Sequence, residues 1–442
     1  MSKRHTFRGG IHPPEGKELS NHRPIEVLPA PKVVAIPLRQ HIGDQCTPLV
    51  KRGDEVFLGQ KIAECDALIS APIHASVSGT VKGIETYPHP VSGTVDCIVI
   101  ENDGEDRICP DLPEPADIAH LSRQEIIHRI REAGIVGLGG AAFPTHVKLT
   151  PPADKPIDTL ILNGAECEPY LTGDHRLMVE HPDLVVYGAQ ALAKALDVTK
   201  VYIGVEVNKP DAIEALTKAA SGTNIQVVGL GVKYPQGAEQ QLIKSLLNRE
   251  VPPGCLPRDV GVVVNNVGTA AAAANSLKTG LPLYQRIVTV SGEGITQPSN
   301  FLVRLGTLFE ELIAAAGGPK GTPRKIIMGG PMTGFTQYST QVPVVKETTG
   351  LLVFAEDQVK ATEPGPCIKC GRCVSVCPQF LLPVTIAKFA HAGMLEEAAE
   401  YGILNCMECG SCSYVCPAHR FLVQDIKIGK QELIAKRRQQ AS

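Results

Sequence analysis

No stretch of this 442-residue chain holds the run of about 18–20 apolar residues that a membrane-spanning helix needs. The longest apolar run, around Ala270–Ala274, is short and made of alanines. An excess of positive charge is missing too. Lys and Arg number 43 against 46 Asp and Glu, a net charge of −3, so no basic face for nucleic acid is expected. Met1–Gly10 (MSKRHTFRGG) lacks the apolar core of a secretory signal, which makes a reducing cytoplasm the expected compartment. The composition of a disordered chain is also absent: 43% of residues are hydrophobic and 20% charged, ordinary for a globular protein. The length suits two to four domains at about 100–200 residues each. Disulfides are rare in a reducing compartment, so the 14 cysteines need another explanation.

Eight of them form two runs near the C-terminal end. Cys367-Ile-Lys-Cys370-Gly-Arg-Cys373-Val-Ser-Val-Cys377-Pro378 and Cys406-Met-Glu-Cys409-Gly-Ser-Cys412-Ser-Tyr-Val-Cys416-Pro417 both read C-x2-C-x2-C-x3-C-P. In that arrangement three thiolates wrap one cubic cluster and the fourth reaches the other. The spacing therefore assigns Cys367, Cys370, Cys373 and Cys416 to one [4Fe–4S] centre. Cys406, Cys409, Cys412 and Cys377 go to the second. Zinc, which C-x2-C pairs also serve, is the competing occupant. Between the runs, Leu382–Tyr401 is rich in Ala, Leu and Glu, which favours helix and hence a helical ferredoxin-like domain. The remaining cysteines (Cys46, Cys65, Cys97, Cys109, Cys167, Cys255) are scattered and read mostly as small buried apolar residues.

The middle of the chain alternates strand and helix signals. Strands are predicted at 159–162, 200–207, 225–230 and 260–264, and helices at 182–195, 211–219 and 238–247, an α/β layer with a mostly parallel sheet. Ser122-Arg-Gln-Glu125 is a capping box opening a helix over 123–133. Directly after it comes Gly137-Leu-Gly139-Gly140-Ala-Ala-Phe143-Pro144-Thr145-His-Val-Lys148. It satisfies G-x-G-x-x-G/A but follows a helix rather than a strand, so it is no ordinary dinucleotide fingerprint. An anion cradle, with Lys148 adding a point charge, and a plain glycine turn are both open readings. The strand at 159–162 ends in Asn163-Gly-Ala-Glu166-Cys167-Glu168-Pro169, and the strand at 260–264 ends in Asn265-Asn266-Val-Gly268-Thr269. Open α/β sheets bind ligands at such carboxyl ends.

GLGGAAFPTHVK, NGAECEP and NNVGT together resemble the FMN- and NADH-binding subunit of respiratory complex I, over roughly residues 120–280. The resemblance implies that Gly137, Gly139, Gly140, Lys148, Asn163, Asn265, Asn266 and Thr269 hold FMN. It implies that Glu166 and Glu168 shape a shared flavin and nicotinamide pocket, and that Phe143 stacks on the dinucleotide. The chain departs from the family in two places: the loop's Arg is Leu138 and the second motif's Asp is Ala165. The family's Gly-Glu-Glu turn corresponds to Gln236-Gly237-Ala238-Glu239, with Glu239 alone kept.

Further along, Arg286–Val290 alternates sides, Thr307-Leu-Phe-Glu310 reads as a capping box, and Lys325–Met328 is strand-like. This piece resembles the β-grasp, soluble-ligand-binding domain of the same complex I subunit, and either a spacer or a ligand site is expected. At the other end, short strands punctuated by Gly and Pro over 50–81 suggest a β-sandwich of the lipoyl type. Its tip, Glu64–Ser70, has no lysine, so docking rather than covalent biotin or lipoate is expected. His74 and His89 read as packing histidines rather than ligands.

The expected fold is multidomain α/β. It comprises a lipoyl-like β-sandwich (1–115), an α/β flavin/NADH-binding layer (118–282), a small β-grasp domain (283–350), a helical ferredoxin-like domain with two clusters (358–425) and a basic tail (426–442). That module order resembles the C subunits of Rnf electron-transport complexes across nearly the whole chain. The resemblance implies two [4Fe–4S] clusters, FMN and NADH/NAD+ as cofactors. It also implies partners among the other subunits of a membrane-bound complex, ferredoxin reached indirectly, and a peripheral place on the cytoplasmic side of the membrane. A flavin–iron–sulfur cobalamin reductase, which carries the lipoyl-like piece near its other end, and a non-catalytic electron-transfer adaptor are the alternatives. In the tail, Leu422, Ile426 and Leu433 at near-helical spacing read either as a basic amphipathic helix on a membrane or as a stripe packed on the cluster domain.

Overall fold

The computed structural model describes residues 5–359 and 362–441. Among them no helix is long and apolar enough to cross a membrane.

The N-terminal barrel sandwich stacks a four-stranded sheet, ordered Val33–Pro37, Gly93–Asn102, Gly79–His89 and Glu55–Val56, on a three-stranded one, Thr47–Pro48, Lys61–Glu64 and Ile73–His74. Ile36, Val56, Ile62, Ile73, Ile98 and Ile100 fill the space between them. Both singled-out histidines serve the packing. His89 accepts from the Val91 and Ser92 N–H groups through Nδ1, while its Nε2 meets the Arg39 carbonyl. His74 is buried, and burial lowers its pKa well below the usual range.

Ahead of the barrel strands, residues 5–27 pair with other units. His5 forms a parallel bridge with Leu230, Ile11 an antiparallel one with Tyr234, and Ile25–Val27 adds an edge strand to the β-grasp sheet. The segment therefore laces three units together before the barrel starts.

The central layer is a fully parallel sheet ordered Ile225–Leu230, Lys200–Glu206, Thr159–Gly164, Val262–Asn266. Its period-2 pattern buries both faces. Leu160, Leu162, Ile203 and Val263 point toward helices Pro182–Leu196 and Val267–Thr279, while Ile161, Val262 and Val264 meet Leu242 and Ile243 of helix Glu239–Leu247. The alanines at 270–274 are explained here. A Cβ on Gly188 would lie only 2.0 Å from the Ala270 carbonyl oxygen, so the two helices cross at backbone contact and only small residues fit. Ser122 and Glu125 form the expected capping box on helix Arg123–Glu132. The last strand starts at Val262 rather than 260, because Pro257–Val260 winds as a 3-10 turn closed by Gly261.

The β-grasp unit is a six-stranded mixed sheet, Ile25–Val27, Ser299–Arg304, Gln285–Ser291, Gly350–Ala355, Pro323–Met328 and Phe335–Gln337, packed on helix Phe309–Ala315. Its cap differs from expectation. The Thr307 hydroxyl donates back to the Arg304 carbonyl, and Glu311, not Glu310, reaches the Leu308 N–H.

In the C-terminal unit the predicted helix over 382–401 is two helices, Pro383–His391 and Leu395–Glu400, broken where Gly393 takes φ +70°. Helix Leu422–Ala441 runs unbroken across the expected boundary at 425/426. Leu422, Ile426 and Leu433 are buried in the cluster unit's core, and a Cβ on Gly429 would lie 2.6 Å from the Ala390 Cβ. The apolar stripe is thus spent on packing. At the helix's far end Lys436 and Arg437 both pair with Glu396.

Candidate functional site

The carboxyl end of the parallel sheet opens onto a cleft of about 940 Å³, its open mouth included, with the β-grasp unit as its opposite wall. Six of the residues expected at a cofactor line it: Gly139, Gly140, Asn163, Glu166, Glu168 and Asn266. The other six stand behind that wall and hold it in place. Gly137 and Phe143 close the glycine turn through their backbones, Gly137 N–H donating to Phe143 O at 2.9 Å. Thr269 Oγ1 accepts from the Leu138 N–H at 2.9 Å and so pins the same turn. Lys148 Nζ lies 3.1 Å from Glu239 and donates to the Val264 carbonyl at 3.0 Å, so its charge is shared with Glu239 behind the cleft wall. Asn265 is buried, and its Nδ2 has no hydrogen-bond partner.

The loop fits close approach by a flat or phosphorylated ligand. Gly139 and Gly140 are exposed, and Gly140 sits at φ +108° with open space where a Cβ would be. A Cβ on Gly139 would meet the Asn266 side chain at 3.3 Å. Asn266 caps helix Val267–Thr279, accepting from Gly268 N–H at 2.8 Å, while its amide donates to Asp174 at 2.6 Å.

Charge in the cleft is buried and unevenly paired. Glu166 takes φ +49° and its side chain is 6% exposed; Oε1 accepts from the Asp174 N–H at 2.7 Å, while Oε2 has no hydrogen-bond partner. Burial pushes its pKa up to about 7, against the pull of Lys17, whose Nζ is 3.8 Å away. Lys17 comes from the N-terminal segment and donates to the carbonyls of Glu168 (2.9 Å) and Leu171 (2.5 Å); burial lowers its pKa. Glu168 faces the other way, accepting from the Met332 N–H and the Thr333 hydroxyl, and so ties the sheet's carboxyl end to the β-grasp loop. Arg286 joins the same wall, donating to the Leu138 carbonyl at 3.2 Å and to that of Lys346. Sequence reasoning missed Lys17, Asp174 and Arg286. Asp174, eight residues past Glu166, was within reach of the motif, but Lys17 carries no local signal.

The eight run cysteines line two separate cavities. Cys367, Cys370, Cys373 and Cys416 line one, and Cys377, Cys406, Cys409 and Cys412 the other, so the fourth cysteine of each run lies beside the first three of the other. Among the described residues no three His, Cys, Asp or Glu side chains converge closely enough to hold a single metal ion. Burial raises the thiols of Cys406 and Cys412 to about 11 and 12, so metal charge is what would ionise them. The second cage abuts the cleft's surroundings. The Tyr234 hydroxyl donates to the Cys409 carbonyl at 2.8 Å, and a Cβ on Gly410 would sit 3.0 Å from the Met332 carbonyl oxygen. Of the six scattered cysteines, Cys46 and Cys97 are buried; Cys167 lines the cleft and accepts from the Gly237 N–H at 3.3 Å.

A polar, glycine-floored cleft joined to two four-cysteine cages defines an iron–sulfur flavoprotein of electron transfer. Residues 130–275 match the Nuo51 FMN-binding domain, 5–105 the RnfC barrel sandwich hybrid domain, 287–336 the SLBB domain and 360–417 the 4Fe-4S dicluster domain. The chain is 51% identical to the C subunit of the proton-translocating ferredoxin:NAD(+) oxidoreductase complex of Clostridium ljungdahlii, over 97% of this chain and 94% of that one. It is 49% identical to the Na(+)-translocating counterpart of Acetobacterium woodii, over 99% of both chains. Identity to the C subunit of the ion-translocating oxidoreductase complex of Rhodobacter capsulatus is 44%, over 97% and 83%. The chain belongs to this family, the C subunits of the Rnf-type ion-translocating oxidoreductase complexes. In fold it is similar to a chain of the NAD+-reducing [NiFe]-hydrogenase in the air-oxidised state, with a TM-score of 0.52 at 21% identity, covering 72% of this chain and 67% of that one.

Proposed function

We propose that this chain is the NADH-facing subunit of a membrane-bound, ion-translocating ferredoxin:NAD+ oxidoreductase, placed peripherally on the cytoplasmic face and joined to the complex's other subunits. The observation that carries this reading is the continuity from cleft to second cage through Glu168, Met332, Tyr234 and Cys409. FMN bound in the cleft supplies the exchange between a two-electron hydride and one-electron carriers.

The side chains then have distinct tasks. Gly139 and Gly140 admit the ligand to backbone contact. Asn163 and Asn266 present polar edges, and Asn265 offers an unused buried amide. Gly137, Thr269, Lys148 and Glu239 hold the floor, with Phe143 closing its turn. Glu166, with Lys17 beside it, can hold or release a proton near neutral pH at Oε2. Glu168 keeps the β-grasp loop closed over the cleft, which limits water. The cysteines hold two [4Fe–4S] clusters, one beside the cleft and one beyond it.

The test is anaerobic purification with flavin and iron quantified, followed by NADH. Bleaching of flavin and then of cluster absorbance is expected. Retained FMN with no response to NADH would make the chain an adaptor, and rapid reduction of added cob(II)alamin would favour the cobalamin-reductase alternative.

A further inference from the structure

The two cysteine runs are duplicates, and the differences between them are informative. Their backbones coincide: Lys369 and Glu408, at equivalent positions, have φ +56° and +57°, and Gly371 and Gly410 have +74° and +77°. The side chains around the two cages do not. The inner cage (Cys377, Cys406, Cys409, Cys412) is lined by no charged residue. It is also shut in by the rest of the chain: Gln241 donates to the Pro378 carbonyl at 3.3 Å, Gly10 N–H to the Val376 carbonyl at 2.8 Å, and Tyr234 to that of Cys409.

The outer cage is the reverse. Cys367 and Cys370 are exposed, and Lys369, Arg372, Lys388 and Arg420 line it with no Asp or Glu among them. Among the described residues none of these four cations has an ion-pair partner. By contrast Glu408, the inner counterpart of Lys369, pairs with Lys430 at 3.0 Å. The counterpart of Arg372 is Ser411. A [4Fe–4S] core with four thiolates carries only about two negative charges, so four cations exceed what the cluster itself would neutralise. Exposed apolar side chains accompany them, Ile368 at 65% and Phe421 at 53%. Apolar contacts within a one-signed rim form a recognition surface for an oppositely charged protein.

We propose that the face of the outer cage is the docking surface for an electron-transfer protein with an acidic face, and hence the port through which electrons pass between this chain and its partner. This rests on the two-cluster reading above and adds to it an order: cleft, inner cluster, outer cluster, partner.

The experiment uses the full chain loaded with flavin and clusters, and an acidic two-[4Fe–4S] ferredoxin as probe. The variant borrows its residues from the duplicate run, Lys369→Glu and Arg372→Ser, with Lys388→Glu added, so each backbone conformation is already known to accept the new residue at the first two positions. Binding is expected to weaken about tenfold from low to physiological salt, and about tenfold again in the triple variant at equal iron content. If the triple variant fails to load its clusters, Lys388→Glu alone, on helix Pro383–His391 and outside both cysteine runs, is expected to lose about threefold. Absent wild-type binding, binding indifferent to these changes, or equal affinity for phosphatidylglycerol vesicles would overturn the proposal. Flavin bleaching by NADH in the same preparation tests the earlier reading separately.

Discussion

Replacing Glu166 with Gln should change how stability depends on pH, and by an amount the structure sets. The carboxyl is raised from 4.5 to about 7 by burial, with Lys17 pulling the other way. Between those two values the folded chain keeps a proton that the unfolded chain has released. Folding is therefore favoured most below pH 4.5, weakens across the window, and is level above about 7 as far as this group is concerned. A raised carboxyl of this kind contributes on the order of a few kcal/mol across the window. Glutamine accepts from Asp174 N–H through its carbonyl but has nothing to titrate, so this slope should vanish. The wild-type midpoint of thermal unfolding should fall, relative to Glu166→Gln, by several degrees between pH 4.5 and 8, at about 2–4 °C per kcal/mol for a unit of this size. Because several units unfold, the comparison is made on the flavin-layer transition in calorimetry. In Lys17→Met the opposing charge is gone, so the loss should extend to higher pH than in wild type. Parallel curves for wild type and Glu166→Gln would refute the assignment of a near-neutral proton to Glu166.

Three further outcomes are expected. Cys377→Ala should cost the cluster built on Cys406, Cys409 and Cys412 and spare its own run's cluster, seen as iron falling from about eight to four with one electron paramagnetic resonance signal kept. Gly140→Val, forced to φ +108°, should weaken FMN binding at least tenfold, by equilibrium dialysis, while both clusters stay loaded. The purified chain should not co-sediment with anionic vesicles at physiological salt, because the tail's apolar stripe is buried and Lys436 and Arg437 already face Glu396; strong sedimentation would contradict that packing.

What could be read in the sequence was what local chemistry repeats. Both cysteine runs, their crossed pairing, the parallel layer and its polar strand ends follow from spacing and period, and each describes a short stretch of chain. What escaped was made by distant stretches meeting. Lys17 reaches Glu166 from about 150 residues before it, and a lone lysine between Gly16 and Glu18 has no pattern to betray it. Arg286 looked like one more residue of an alternating strand, yet it reaches across to Leu138. The stop at Gly393 was hidden by an otherwise helical composition, and the shifted cap at Glu311 by two adjacent glutamates. Leu422, Ile426 and Leu433 had the right spacing for two different partners, and spacing alone does not choose between lipid and protein.

The lacing segment, residues 5–27, sets a schedule for how the molecule can be made. During synthesis this stretch emerges early, yet its neighbours are Leu230, Tyr234, the 299–304 strand and Val376. Its partners become available one after another over several hundred residues, and the last of them only with the cluster unit. A released chain ending just after residue 282 should thus hold a flavin layer whose Lys17 can bind, but with Ile25–Val27 still free. Protease access to that strand would end only when the β-grasp sheet and its Ser299–Arg304 partner have formed, which makes cleavage there a clock for completion of the β-grasp unit.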